Sequence, residues 1–261
     1  MTLNEEREKT LRQVLDVAAG HAPPQVNRVD EVMEAVKQHI VTHRLKSGDK
    51  LPTEAKLVQM IGASRSSVRE AISKLEALDI VTSRQGKGTA VGKMSFIPLM
   101  ESVMLRSSSE TSFPNTNVDV KAIRNVVNMR RYLDLGMSEN VVAALRGTRN
   151  QKLHAIVDEM TEKALRGENF QEEDVRFHTE ITSVLDNEIA YEMVIALWLV
   201  HTRVMHYLEG IEERLLETAL AHKKILEAAE AGNIFAYRGG VIDHFRPIER
   251  LLDDLVPKDD E

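Results

Sequence analysis

The sequence predicts a mainly α-helical protein, in which three short helices and a small β-hairpin precede an all-α helical bundle. Three observations carry this. Hydrophobic residues make up 43% of the 261 positions, enough for a sizeable core, whereas aromatic residues make up only 4%, a balance that favours helices over sheets. Apolar residues recur at helical spacing along most of the chain. The exception is "IVTSRQGKGTAV" (80–91), which reads as two short β-type runs around Gly86-Lys87-Gly88, a hairpin.

Taken in order, residues 1–27 form an N-terminal extension. They include Pro23-Pro24, which cannot continue a helix, so a leader or short helix plus linker is expected. Val29, Val32, Met33, Val36 and Ile40 then mark a helix. "LKSGDKLPT" (45–53) is a turn cluster, and Thr53 is an N-cap for a second short helix with Leu57, Met60 and Ile61 apolar, ending at Gly62. A third helix begins at Ser64 or, by capping-box spacing, at Ser67, with Val68, Ala71, Ile72, Leu75 and Leu78 as its stripe. Residues 28–93 thus form one domain. A polar connection, 94–118, contains "RSSSETSFPNTN". The second domain, 119–256, reads as helices at about 119–146, 150–166, 171–186, 188–209, 212–231 and 233–255, with breaks at Gly167, Asn187, Gly210 and Gly232. Gly239-Gly240 inside the last helix is costly to helix stability and implies close helix approach or room for a ligand.

The chain has no cysteine, which excludes disulfides and thiolate metal sites and fits a reducing cytoplasm. The charged N-terminus has no apolar segment of a secretory signal, and the longest apolar run, "MVIALWLV", is too short to cross a bilayer. The net charge of −7 is unevenly distributed. Residues 44–93 hold ten Lys/Arg against five Asp/Glu, a balance of +5, which leaves −12 for the rest. A small cationic binding module on an acidic body is the reading.

Three helices and a basic hairpin make a winged helix-turn-helix, whose second turn-motif helix enters the DNA major groove. Arg65 and Arg69 stand four apart on one face, opposite the apolar stripe, and arginine reads guanine bidentately. Ser64, Ser66 and Ser67 are short donors at the positive helix end. Gln85 and Lys87 at the hairpin tip reach the minor groove or a phosphate.

The tract "GDKLPTEAKLVQMIGASRSSVREAISKLEALDIVTSRQGKGTAV" resembles the DNA-binding module of the GntR transcriptional regulators, and the helical remainder resembles their FadR subgroup with its FCD-type effector domain. The two resemblances cover roughly residues 28–255. They imply operator contacts at Arg65 and Arg69 and a minor-groove position at Gln85. Family members often carry an arginine after the Glu of "LPxE"; here that position is Ala55, followed by Lys56, so either Lys56 takes over as a phosphate contact or the operator differs.

In the second domain Asp174 and His178 stand at i, i+4, and His222 and His244 sit in amphipathic helices. Three His and one carboxylate suit one borderline divalent ion per chain, Zn²⁺ first, Ni²⁺ or Mn²⁺ as alternatives. The FCD resemblance implies the same four ligands. A small carboxylate or sugar acid would bridge the metal and an arginine. The resemblance assigns the cavity arginine to Arg130, with Arg131 its solvated neighbour, and "WLVHTRVMHYL" (198–208) contributes Trp198, His201 and Arg203. His154 and His206 read as ordinary. A hydrolase would need a general base beside metal-bound water, and none of Glu180, Asp186 or Asp243 has a marked spacing. The expectation is therefore a non-enzymatic, cytoplasmic, metal-dependent repressor of a catabolic operon, a homodimer on a palindromic double-stranded operator. The alternatives are a purely structural metal or a metal-dependent hydrolase.

Overall fold

The computed structural model describes residues 3–19, 27–107, 120–205 and 215–254. The chain divides into two compact units, Met1–Met94 and Ser95–Glu261.

The first unit contains α1 (Leu3–Ala18), α2 (Arg28–Thr42), α3 (Glu54–Ile61), α4 (Arg65–Ala77), β1 (Val81–Arg84) and β2 (Gly88–Val91). The starts of α2, α3 and α4 each follow from a cap. Asn27 accepts from the N–H groups of Val29 and Asp30, and Thr53 accepts from Lys56 N–H. At α4 the two candidate caps resolve in favour of Ser64, whose side chain accepts from Ser67 N–H at 3.1 Å. Gly62 closes α3 in the left-handed region (φ 67°), a conformation that a residue with Cβ disfavours, and this turns the chain sharply from α3 into α4. Val32, Val36, Leu57, Val68, Ile72 and Leu75 bury a common core. Two expected core residues lie outside it. Met60 faces solvent, and Leu78 is exposed because α4 ends at Ala77 and the chain leaves the helical register there.

β1 and β2 pair antiparallel, with Val81 opposite Val91 and Arg84 opposite Gly88. The turn cluster before α3 runs along β2: Leu51 N–H donates to Thr89 O and Gly48 N–H to Val91 O. The hairpin is thereby tied to the three-helix core at its base while its tip is exposed.

The second unit is all helical: α5 (Ile97–Ser107), α6 (Val120–Gly136), α7 (Ser138–Leu145), α8 (Gln151–Leu165), α9 (Gln171–Ser183), α10 (Glu188–Met205), α11 (Leu215–Glu230) and α12 (Ile234–Asp254). Two expectations need correction. The segment read as a wholly polar connection contains α5, because Met100 is buried in the second unit's core and Phe96, Val103 and Met104 pack against it. The single helix expected over 119–146 is two, separated at Met137. At this break the Ser138 hydroxyl donates to Leu135 O at 2.6 Å, satisfying a carbonyl in the last turn of α6, and α7 starts without a side-chain cap. Gly210 and the helix ends expected near it lie outside the described residues.

Phe177, Leu153, Met160, Ile225, Leu226, Phe245 and Leu252 are fully buried at the centre of this unit. The paired glycines of α12 separate in role. A Cβ on Gly240 would stand 3.0 Å from Ile225 Cγ1, so Gly240 is where α12 presses against α11. A Cβ on Gly239 would meet nothing within 4 Å.

Candidate metal centre and nucleic-acid interface

The four residues expected to bind metal converge. Asp174 and His178 project from successive turns of α9, His222 comes from α11 and His244 from α12. One donor atom from each lies within 4.8 Å of all the others. His222 Nε2 is 2.8 Å from Asp174 Oδ1 and 3.4 Å from His178 Nε2. His178 Nε2 is 3.1 Å from His244 Nε2 and 3.5 Å from Asp174 Oδ1. Donors that share one ion at about 2.1 Å stand roughly 3.0–3.4 Å apart, and these four separations, 2.8 to 3.5 Å, lie close to that range. Packing holds the rings in place. Phe177, one residue before His178, sets its ring edge-to-face against both His178 and His222, with centroids at 5.5 and 4.8 Å.

The outer ring nitrogens test whether the set fits a cation. His222 Nδ1 lies 2.8 Å from Thr218 O, a carbonyl that can only accept, so this nitrogen carries the proton. In the neutral imidazole, Nε2 is then a lone pair aimed at a carboxylate oxygen 2.8 Å away. Two acceptors at that distance need a proton or a metal cation between them. His178 Nδ1 likewise faces Asp134 Oδ2 at 3.5 Å, leaving its Nε2 toward the cluster. Burial first, then neighbouring positive groups, hold His178 and His244 well below the ordinary imidazole pKa, which keeps them neutral and able to ligate. The donor set therefore fits a divalent transition ion.

Asp134, on α6, was not singled out from the sequence. It lies four residues after Arg130 on the same helix face, and that i, i+4 spacing was the available signal. Burial raises its carboxyl to about 7, although Arg130 and His222 pull it back. Burial also raises the Tyr237 hydroxyl, with Asp134 adding to the effect. Arg130 itself is buried. Its Cζ lies 3.7 Å above the Trp198 ring, and its Nη2 has no hydrogen-bond partner among the described residues. Burial lowers its pKa, opposed by Asp174 and Asp134. His201 meets Trp198 edge-to-face at 4.8 Å and is held well below its ordinary pKa, first by burial and then by Arg130. Arg130, Trp198 and His201 thus form one cluster, and His178 joins it with its ring 5.1 Å from Trp198. The Arg203 side chain and His206 lie outside the described residues. Arg131, expected to be solvated, is instead paired with Glu249 and bonded to Asn128. His154 faces Glu230 at 2.9 Å, away from the cluster's ligands.

In the first unit Arg65, Arg69, Ser64 and Ser66 are exposed along the start of α4, and Ser67 is half-buried. The three hydroxyls form a local triad, Ser64 Oγ lying 2.8 Å from Ser66 Oγ and 2.9 Å from Ser67 Oγ. Two contacts engage two of the three O–H donors and leave one for an outside acceptor. Lys56 is exposed in the first turn of α3, and Gln85 and Lys87 are exposed at the hairpin tip. Arg69 Nε donates to Glu54 Oε2 at 2.9 Å, a contact between residues fifteen apart that no local spacing marks.

Among the described residues no helix is long and apolar enough to cross a membrane. Comparison with known proteins agrees with both units. Residues 28–91 match the family described as bacterial regulatory proteins, gntR family, and residues 125–246 match the FCD domain. NedR of Micromonospora viridifaciens is 34% identical over 100 residues, 38% of this chain and 72% of that protein. The galactonate operon transcriptional repressor of Escherichia coli K12 is 20% identical over 204 residues, covering 78% of this chain and 87% of the relative. Among solved structures, a GntR protein of Streptococcus agalactiae shares the fold with a TM-score of 0.60 at 22% identity, over 85% of this chain and 99% of that one. A basic winged module matching one family description and a helical unit matching the other leave one assignment: the chain belongs to the GntR family of bacterial regulatory proteins, as a DNA-binding transcriptional regulator with an FCD domain and not an enzyme.

Proposed function

We propose that this regulator is a metal-dependent sensor of a small carboxylate or sugar acid, and that it represses a catabolic operon as a homodimer on a palindromic operator. The observation that carries the reading is Arg130. A buried guanidinium whose Nη2 has no partner among the described residues, stacked on Trp198 beside four converging metal donors, is a strong receptor for an anion. A divalent transition ion, Zn²⁺ before Ni²⁺ or Mn²⁺, held by Asp174, His178, His222 and His244, would supply an electrophile for a carboxylate oxygen. Arg130 would take a second ligand oxygen, with Trp198 and His201 bounding the space and Arg203 as a further clamp. The similarity to a repressor whose name specifies galactonate, a sugar acid, supports the same ligand class.

On the DNA side, Arg65 and Arg69 would contact bases and phosphates in the major groove, with Ser64, Ser66, Ser67 and Lys56 at the backbone and Gln85 and Lys87 at the minor groove. The ligand changes DNA affinity only through different affinities for the DNA-competent and DNA-incompetent states. The test is a titration of the full-length protein onto DNA, with a panel of hydroxycarboxylates and sugar acids, galactonate among them, before and after metal removal. Release of DNA by a panel member only when metal is bound supports sensing.

A second reading, a purely structural metal, is favoured by the burial of His222 and by the origin of the ligands on three helices. It is expected to give a His222→Ala protein that loses stability, and a wild-type protein that no panel member moves from DNA.

A further inference from the structure

The pair formed by Arg69 and Glu54 assigns a role that neither the family match nor the metal centre requires. Glu54 is the first residue of α3, just after its Thr53 cap, and Arg69 lies on the second turn of α4. The contact bridges two helices that pack on one core, so it fixes the guanidinium in the frame of the whole module. The bond uses Nε, with Oε2 at 2.9 Å. A guanidinium has five N–H donors, one on Nε and four on the two Nη nitrogens. Nε is engaged and both Nη remain, which is the end of the side chain that can fork onto guanine O6 and N7.

We propose that Glu54 is a positioning residue for sequence readout, holding Arg69 by Nε so that its Nη atoms address a guanine and do not settle on a phosphate. The proposal rests on α4 as the groove helix. Its physical basis is the sign of the charges. A phosphate approaching Arg69 also meets the Glu54 carboxylate and is repelled by it, whereas the guanine edge offers neutral acceptors. Arg65, one turn earlier, is exposed and has no partner among the described residues, so its full charge is free for the backbone. Both side chains of the pair are open to solvent, at 73% for Arg69 and 44% for Glu54, so the contact is accessible to DNA and can be altered without disturbing the core.

The test uses the full-length protein. A pool of synthetic duplexes with randomised centres is enriched on the wild type, and the selected duplex and a scrambled one are titrated across a range of salt. The same measurements are made on Glu54→Gln, Glu54→Asp, Arg69→Ala and Arg65→Ala, with melting curves for each. Arg69→Ala is expected to erase a guanine preference in each half-site. Glu54→Gln is expected to broaden that same position, to lower the selected-to-scrambled ratio by about tenfold or more, and to steepen the salt dependence by up to about one phosphate contact. Glu54→Asp keeps the charge but falls short of Nε, so it broadens the preference without steepening the salt dependence. It also carries the test should the Gln variant melt early. Wild-type base preferences and ratio in both Glu54 variants, with the preference lost in Arg69→Ala, would overturn the proposal while leaving the groove assignment standing. An intact preference in Arg69→Ala, or no sequence enriched by the wild type, overturns both.

Discussion

His222 and Asp174 face each other across 2.8 Å, Nε2 to Oδ1, while the opposite nitrogen of the same imidazole is engaged by Thr218 O. Such a pair is joined either by a proton or by a metal ion shared between the two atoms. Protein purified without chelator is expected to carry about one equivalent of a divalent transition metal per chain, measured by elemental analysis. Asp174→Asn preserves the shape and removes the charge, and metal affinity is expected to fall at least about tenfold, since even outer-sphere changes cost that much. With free metal at about 100 times its dissociation constant, binding contributes about 2.7 kcal/mol, so chelation is expected to lower the melting temperature by about 5–10 °C. Metal-free wild type with a melting curve indifferent to chelator and to added Zn²⁺ would remove the centre.

The metal-stripped protein is expected to have an acid-labile second unit. His178, His201 and His244 are each held well below the ordinary imidazole value, chiefly by burial. The unfolded chain binds more protons at these positions once the pH drops below about 6.5, so stability falls with pH there. Asp134 acts in the opposite direction. Its folded value of about 7 lies above the ordinary carboxyl value of 3.8, so its contribution is fully present at low pH and is lost as the pH rises through about 7. Asp134→Asn removes that opposing contribution and is expected to make the acid-side loss steeper. Urea midpoints from about pH 5 to about pH 8 measure both slopes. Equal slopes in the two proteins would show that Asp134 does not hold its proton in the fold.

The two glycines of α12 are expected to respond oppositely to alanine. Gly239 has open space above it, so Gly239→Ala gains helix propensity without contact and stabilises by about 0.5–1 kcal/mol. At Gly240 the same gain is opposed by a Cβ 3.0 Å from Ile225 Cγ1 and 3.4 Å from Ile225 N, and overpacking of this kind costs about 1–3 kcal/mol. Denaturation of the two variants side by side gives the sign. A Gly240→Ala protein as stable as Gly239→Ala would mean that α11 and α12 stand further apart than described.

How far the sequence carried differs between the units, for physical reasons. In the first unit the signals are local: Ser64 and Thr53 cap, Gly62 ends α3, and Gly86 and Gly88 mark the hairpin turn, so its elements were legible within a few residues. In the second unit Asp174 and His178 share a helix and their spacing was readable, but His222 and His244 reach the same point only through packing of α11 and α12. Without the family resemblance their alternatives would have stayed open. Asp134 has only its i, i+4 spacing to Arg130 as a local signal, one common on solvated helices, whereas its role arises from burial beside His178 Nδ1. α5 is hidden by a polar stretch that begins within its last residues, Arg106 and Ser107, and Glu54 by its ordinary appearance as a first-turn acid. Met60 and Leu78 erred the other way, since apolar spacing near a helix end no longer specifies which face it covers.

Arg130 offers the sharpest test of sensing. A buried guanidinium whose Nη2 has no partner among the described residues carries a cost of about 1–3 kcal/mol for each such donor, and a ligand oxygen recovers that amount on binding. Arg130→Ala is therefore expected to keep its fold and its ligand-free DNA affinity while losing at least about tenfold in affinity for whichever panel carboxylate releases the wild type from DNA. Arg130→Lys is expected to fail as well, because an ammonium lacks the planar fork and the stacking on Trp198. Trp198→Phe keeps an aromatic face with a weaker quadrupole and should lose only a few-fold. Calorimetric titration of each variant, paired with DNA release, separates lost ligand binding from lost coupling. An Arg130→Ala protein that still binds and responds like wild type would mean that the buried arginine serves the helix packing alone and that the anion site lies elsewhere.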